Sequence, residues 1–452
     1  MPVDVDSSFI KEGWAHERAI QGDVRCAILA AGLGRRMDPL TISHLPKPMF
    51  PLGGRTPMLE LWVRGFVNSG IQDLSMNLCV LPDAIRRHFG HGSKFAANIR
   101  YVDEAVPSGT LGGVCKQALG NQAKKVLPDE ETPPFEPFAG STLVVPSGDI
   151  VANFGAEILE EAYDIHKGSG AAFSMVLVPV PWNRRRDFGT AVLDRPEEHK
   201  GHLSRVGKVI EFREKDPNSP SNLNNASIYF IEMELIRALD AYRTPADAET
   251  KNPFYDFGKH VFPALLGKIP YVSLPKSFQL LGLQYDGSWF DVGQKRDYLR
   301  VNESLLDGRI HLELPYEKFP WGFCGSYSTI NFGDITIIPP VVIGDHCVIE
   351  AGTTLGPYAI IGDDWIIERG ARIQHSVLWS RYPFFTSDGR EVSVEEGLLV
   401  DRHQVRKDAI VEECIVVGGT VDGHQKDKTI DMLENGDSSI LSIDHVPDGS
   451  RV

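Results

Sequence analysis

Two spacings of apolar residues divide the chain, and each predicts its own architecture. The first opens at VRCAILAAG, a short apolar run from Val24 that closes on glycine, as in a buried strand of a parallel sheet. PMLELWVRGFVNSG then has helical spacing and a glycine stop, IQDLSMNLCV reads as a strand, and PDAIRRHFG reads as a short helix opening on proline. STLVVPSGDI, SMVLVPV and the segment from Asn225 to Ile231 predict further strands, and QAKKVLPDEETPPFEPF predicts a surface loop. Alternating strands and helices predict an α/β layered domain, closing near Asp307 after the helical stretch QKRDYLRVNESLL.

The second spacing takes over near Ile337. Aliphatic residues fall every six positions at Ile337, Ile343, Ile349, Leu355, Ile361, Ile367 and Ile373, several followed by a small or acidic residue such as Gly344, Glu350 or Gly362. Six matches neither the helical 3.6 nor the strand 2.0. It predicts a solenoid in which each hexapeptide forms one flat side of a triangular coil with the aliphatic side chain inward. The beat breaks at about Trp379 to Ser393, where SRYPFFTSDGRE predicts an inserted loop, and returns at Leu399, Val405, Val411 and Val417. These patterns divide the chain into an extension (1–22), the layered domain (23–307), a linker (308–336), the coil (337–423, with its loop near 379–393) and a polar tail (424–452).

Composition narrows the chemistry. The formal net charge of −15 disfavours nucleic-acid or membrane-surface partners, both anionic, and requires any phosphate site to be a local basic island. Six scattered cysteines without a CxxC pair predict reduced thiols rather than disulfides or a zinc site. The polar N-terminus, MPVDVDSSFIKEGW, does not read as a signal peptide, and there is no apolar run near 18 residues; both predict a cytoplasmic chain.

The basic island lies between Leu29 and Gly53, LAAGLGRRMDPLTISHLPKPMFPLG. The segment follows a strand, so it emerges at the carboxyl edge of the sheet, where open α/β folds bind ligands. Gly32 and Gly34 let backbone N–H groups approach an anion, and Arg35, Arg36 and Lys47 add positive charge. The string resembles the G-x-G-T-R-x-x-P-L-T and P-K-P signature of the sugar-1-phosphate nucleotidyltransferases, with Arg35 where that family has threonine. Within the family, GTLGG is nearest the guanylyltransferase form of the base segment.

The resemblance continues through residues 24–305. It implies a Rossmann-like mixed-sheet α/β domain followed by a left-handed parallel β-helix that mediates homo-oligomers. It implies that Arg36 grips the β- and γ-phosphates and that Lys47 neutralises the α-phosphate. Leu29, Ala31, Gly32, Gly34 and Arg35 belong to the nucleotide site, with Gly109 and Thr110 of EAVPSGTLGG against the base. Asp149 of VVPSGDI and Asp291 of GSWFDVG stand where the family holds Mg²⁺. FGTAVLD, EFREKDP and NNASIYF resemble the sugar-side motifs. They assign Gly189, Glu214 and Asn225 to the sugar and Lys215 to its phosphate, with Phe188 replacing tyrosine and Ser227 replacing glycine.

The implied reaction joins a nucleoside triphosphate, best matched by GTP, to a sugar 1-phosphate. A coil-borne acyltransferase with His375 as base and a non-catalytic regulatory subunit are the two alternatives. Retention of Arg36, Lys47, Asp149, Lys215 and Asp291 speaks against the second.

Overall fold

The computed structural model describes residues 22–126, 133–246, 249–380, 403–417, 420–432 and 438–442. The expected extension before residue 22, Leu399 and nearly all of the inserted loop lie outside them.

A nine-stranded mixed sheet forms the first half. Its strands are β1 (Val24–Leu29), β2 (Asp73–Leu78), β3 (Asn98–Asp103), β4 (Thr142–Pro146), β5 (Phe173–Pro179), β6 (Gly189–Glu198), β7 (Leu203–Glu214), β8 (Leu223–Glu232) and β9 (Leu280–Tyr285), in the spatial order β3-β2-β1-β4-β8-β5-β9-β7-β6. β1 to β4 run parallel, while β8 is antiparallel to both β4 and β5. Side chains alternate across the sheet, so both faces need cover. Cys26 and Ile28 of β1 and Val144 of β4 enter one core, and Ala27, Leu143 and Val145 enter the other. The helices α1 (Met58–Asn68), α2 (Pro82–Phe89), α3 (Gly109–Leu119), α4 (Ala156–Ser169), α5 (Met233–Asp240) and α6 (Lys295–Leu306) supply the cover. α1, α2, α4 and α6 bury residues in the first core, and α3 and α5 bury residues in the second.

The C-terminal half is a β-helix-type coil of three parallel ladders, consistent with a left-handed β-helix. Val341 pairs with Ala359, Ile349 with Ile367 and Leu355 with Ile373, each one triangular turn of three hexapeptides apart. Ile343, Leu355, Ile361, Ile367, Val405 and Val411 are fully buried inside it.

Three expectations about the coil need correction. Parallel pairing begins at Gly322–Cys324 against Val341–Ile343, inside the stretch read as linker. The pairs there are 19 residues apart instead of 18, and the extra residue in the turn around Asn331 hid these coils from a strict six-residue count. At the other end, His424–Lys426 and Lys428–Met432 continue the ladders beyond residue 423, where a tail was expected. Near the end the beat also slips by one: Val416 faces the coil interior and Val417 faces the α/β domain.

Trp379, expected at the start of the protruding loop, is 1% exposed and lies between the two halves. Its ring meets Phe50 at 5.0 Å and Tyr298 of α6 at 6.1 Å. Around it, Ser380 Oγ donates to the Gly54 carbonyl (2.8 Å), Arg55 pairs with Asp345 (2.8 Å), and the Tyr316 hydroxyl donates to Asp363 (3.0 Å). One apolar core therefore runs from the sheet into the coil. The coil histidine His375 contacts Glu303 of α6 (2.9 Å) as part of the same seam. No helix among the described residues is long and apolar enough to cross a membrane.

Removing the indole opens a cavity where both halves meet. Trp379→Ala should destabilise the chain by about 3–5 kcal/mol, as large-to-small core changes do. Thermal unfolding of the variant, expected well below the parent midpoint, checks this.

Candidate functional site

Strands β1 to β4 run parallel, so the segments following all four meet at one edge of the sheet. The Ala30 N–H donates to Asn77 Oδ1 (2.8 Å) at the end of β2. Asn77 in turn donates to Glu104 (3.0 Å) just beyond β3, and the other oxygen of Glu104 accepts from the Ser108 N–H (2.7 Å) and hydroxyl (3.0 Å) ahead of α3. A cavity of about 470 Å³ opens here, lined by Leu29, Ala31, Gly32, Gly34, Arg35, Arg36, Lys47, Gly109, Thr110 and Asp149 among others.

The two loop glycines do different work. Gly34 adopts φ +63°, and a methyl group there would sit 2.8 Å from Thr41 Cγ2, so only glycine fits without strain. Thr41 Oγ1 closes this turn, sharing its one proton between Asp38 Oδ1 (2.5 Å) and the Gly34 carbonyl (3.2 Å). Beyond its chain neighbours, Gly32 has no atom of the described residues within 4 Å of its missing side chain, and the open space belongs to the cavity. Gly109 (φ +76°) packs against the Tyr255 carbonyl, and Thr110 Oγ1 accepts from the Phe257 N–H (2.8 Å). This pair anchors the segment around Asp256 while lining the cavity.

The charged centre sits on the cleft floor. Buried Lys47 donates to Asp149 Oδ2 at 2.6 Å, and Ser147 donates to Oδ1 at 2.6 Å. The short strands Ile150–Ala152 and Trp289–Asp291 pair antiparallel with Asp291 opposite Ile150, and the Val292 N–H reaches the Asp149 carbonyl (3.3 Å). Asp149 and Asp291 are therefore neighbours, although 142 positions separate them in the chain. Burial pushes both carboxyls up. At Asp149 the Lys47 charge and the hydrogen bonds from Lys47 and Ser147 outweigh burial and hold it below the usual carboxylate range. Asp291, facing the Asp149 charge, remains raised despite Lys47 and Arg36.

Two converging carboxylates suit a hard cation that keeps water and substrate phosphate oxygens as further ligands. Among the described residues no group of three or more metal-ligating side chains adds to them.

Arg36 joins this centre to a second cavity of about 650 Å³, which also holds Gly189, Glu214, Lys215, Asn225, Ser227, Trp289 and Asp291. At Gly189 a methyl group would stand 2.5 Å from the Phe212 ring and 2.6 Å from Glu214 Oε2, so a larger residue fits only if that ring and the carboxylate both shift. Lys215 and Ser227 both hold left-handed φ, +52° and +57°. That conformation favours glycine, which accounts for the glycine at the Ser227 position of the motif that NNASIYF resembles. The Ser227 carbonyl accepts from the Ser147 N–H (2.9 Å), tying this wall to the segment that carries Asp149.

The sequence motif singled out Asn225, but its amide is engaged within the wall. It donates to the Tyr229 hydroxyl (2.8 Å) and accepts from the Ser227 N–H (3.1 Å). Asn224, 1% exposed, lines the same cavity with no acceptor for its Nδ2 among the described residues. Sequence reading also passed over Asn77, Glu104, Asp256 and Trp289, and the arginines 184, 186, 296 and 300. The basic run in WNRRRD was the one visible signal for any of them, and nothing in one dimension placed it beside α6.

Residues 26–308 match the nucleotidyl transferase family. The chain is 28% identical over 364 residues to the UTP–glucose-1-phosphate uridylyltransferase of Synechocystis sp., covering 79% of this chain and 83% of that one. It is 28% identical over 285 residues to the mannose-1-phosphate guanylyltransferase of Mycobacterium tuberculosis (63% and 65% covered). It is 26% identical over 285 residues to the glucose-1-phosphate adenylyltransferase of Thermotoga neapolitana (63% and 61% covered). The chain thus spans less than two thirds of the length of the last two.

Burial and the nearby Asp256 charge raise the Glu214 carboxyl, with Lys215 and Lys259 opposing them. A raised carboxyl binds its proton more tightly folded than unfolded, so its contribution to stability is present at low pH. That contribution fades as pH rises through the raised value. Asp256→Asn removes the like charge, so the Glu214 midpoint should move down, toward the ordinary range. Carbon-detected NMR titration of the glutamate carboxyls reads this shift.

Proposed function

Since the chain belongs to the nucleotidyl transferase family, we propose that it transfers a guanylyl group from GTP to a sugar 1-phosphate across the cleft between the two cavities. The observation that carries this reading is the Lys47–Asp149–Asp291 cluster at their junction. It offers a cation beside a carboxylate pair at the point where two polyanions would meet.

In this reading the triphosphate lies over Leu29, Ala31, Gly32 and Gly34, with Arg35 and Arg36 along its phosphates. The base rests near Gly109 and Thr110. The sugar phosphate enters over Gly189 and Asn225, with Lys215 on its phosphate and Glu214 accepting from a hydroxyl. A sugar-phosphate oxygen forms a new bond to the α-phosphorus while the bond to pyrophosphate breaks, with no covalent enzyme intermediate.

Alignment is the first contribution of the protein, because two anions that repel in water are held end to end. The second is charge stabilisation. Lys47 stands where charge on the α-phosphate develops, and Arg36 neutralises the departing pyrophosphate. Asp149 and Asp291 would hold Mg²⁺, which when bound supplies Lewis acidity and a template for the phosphates. Ser147 orients Asp149 for that task, and its N–H links the same segment to the sugar wall through Ser227.

The guanine assignment rests on GTLGG and is the finest part of the reading. Pyrophosphate release measured with GTP, UTP and ATP in parallel should favour GTP, and a preference for UTP would replace it. Asp149→Asn should lower kcat by about two orders of magnitude or more, the scale on which losing one electrostatic group acts; near-parent turnover would remove the metal role. Lys215→Ala should instead raise KM for the sugar phosphate, with a smaller change in KM for the nucleotide.

A further inference from the structure

We infer that His260 is a positioning residue for the nucleotide: its neutral imidazole latches the base-side wall of the 470 Å³ cavity, and protonation of the ring releases that wall. The inference rests on the reading that this cavity takes the nucleoside triphosphate.

His260 lies in the π-turn Phe257–Val261 and is 7% exposed. Its Nδ1 accepts from two consecutive backbone N–H groups, those of Tyr255 (3.2 Å) and Asp256 (3.0 Å). A ring nitrogen that accepts carries no hydrogen, so this imidazole is neutral with its one hydrogen on Nε2. The imidazolium has a hydrogen on both nitrogens. A proton on Nδ1 would therefore point at two N–H donors, and both would lose their acceptor.

Those two N–H groups hold the segment that supports the wall. The Tyr255 carbonyl accepts from the Leu111 N–H (3.0 Å) and stands 2.4 Å from where a Gly109 Cβ would be. The Phe257 N–H donates to Thr110 Oγ1 (2.8 Å). Asp256, between them, lines the cavity together with Gly109 and Thr110. Its carbonyl accepts from the His260 and Val261 N–H groups, and its carboxylate accepts from the Lys259 N–H (2.9 Å). The Tyr255 ring meets the imidazole edge to face, with centroids 4.8 Å apart. One imidazole nitrogen thus fixes the backbone on either side of the peptide that joins Tyr255 to Asp256.

Burial holds the His260 ring below its ordinary 6.5, with the Asp256 charge opposing and the Lys259 charge assisting. Of the elements packed on this turn, β7 brings Glu214 next to Asp256, and α3 carries Lys116 and Cys115. The helical turn Phe262–Leu265 carries no ionisable side chain. A base whose folded value is lowered binds its proton less tightly folded than unfolded. Its contribution is intact above 6.5 and is lost as pH falls through the folded value.

The test is calorimetric titration of the full chain with the magnesium salts of GTP, UTP and ATP, between about pH 5 and 8. Phosphates titrate in this range too, so each reading is the ratio of variant to parent Kd at one pH. His260→Ala lacks the acceptor at every pH. Its Kd should exceed the parent's by at least about fivefold near pH 8, the scale of a lost hydrogen bond. The ratio should fall toward one on the acid side, where the parent has lost the latch as well. His260→Asn keeps an acceptor that takes up no proton, so its Kd should lie below that of the alanine variant near pH 8 and below the parent's near pH 5. In both variants kcat at saturating substrates should change less than Kd. Equal Kd for the parent and His260→Ala near pH 8 overturns the inference and leaves the transfer reaction standing. So does an asparagine-to-parent ratio that does not move with pH. Should the alanine variant not fold, the asparagine ratio and the ¹⁵N shifts of labelled histidine decide: a protonated Nδ1 on His260 near pH 8 removes the latch. Failure of all three nucleotides to bind the parent overturns the reading of the cavity and the inference with it.

Discussion

The ion pair between Lys47 and Asp149 is the contact on which the cleft depends. Asp149 immediately precedes the strand whose Ile150 pairs with Asp291, and two neighbouring carboxylates in a partly buried place repel each other and lose hydration. The lysine ammonium offsets both costs at one of them. A third of the Asp149 side chain stays open to solvent, so losing Lys47 should cost less than the about 3–5 kcal/mol of a fully buried pair. Its greater consequence is positional. The pair ties the loop from Leu29 to Gly53 to the segment that carries Asp149, and an anion or a cation entering the cleft must compete with or complete that arrangement.

The position of Lys47 depends in turn on Phe50, three residues further along the chain. Phe50 packs against Trp379 of the coil and Tyr298 of α6, so the loop carrying the lysine is clamped between the two halves of the chain. The hydrogen bonds at Gly54, Arg55 and Ser380 extend that seam. The coil thus acts as a buttress for the segment immediately after the charged centre. His375 takes part through Glu303, and this structural use gives it no need of a catalytic role.

Much of this was legible in one dimension, for reasons that differ by region. The six-residue beat was visible because inward positions of a triangular coil admit little but aliphatic side chains. It failed at Asn331 and Val417, where one residue more or less moves the register while the ladder pairing continues. The loop from Leu29 to Gly53 was visible because close turns and anion contacts restrict residue types. Gly34 illustrates the constraint, with a left-handed φ and a neighbouring threonine methyl where a Cβ would be. Trp379 was misplaced because an aromatic beside a break in the pattern looks like the start of a loop until its partners, Phe50 and Tyr298, are known.

The sequence alone determined the fold class, the order of its two architectures and the residue types that line the cleft. Those depend on local spacing and on residue types that few backbones tolerate. Tertiary structure alone decided which groups meet: Asp149 beside Asp291, four arginines around one cavity, and Asn224 with a buried Nδ2 that no described residue accepts from. Electrostatic interaction depends on distance in space, and the distances here are set by sheet pairing between segments as far apart as Ile150 and Asp291, which no local pattern records.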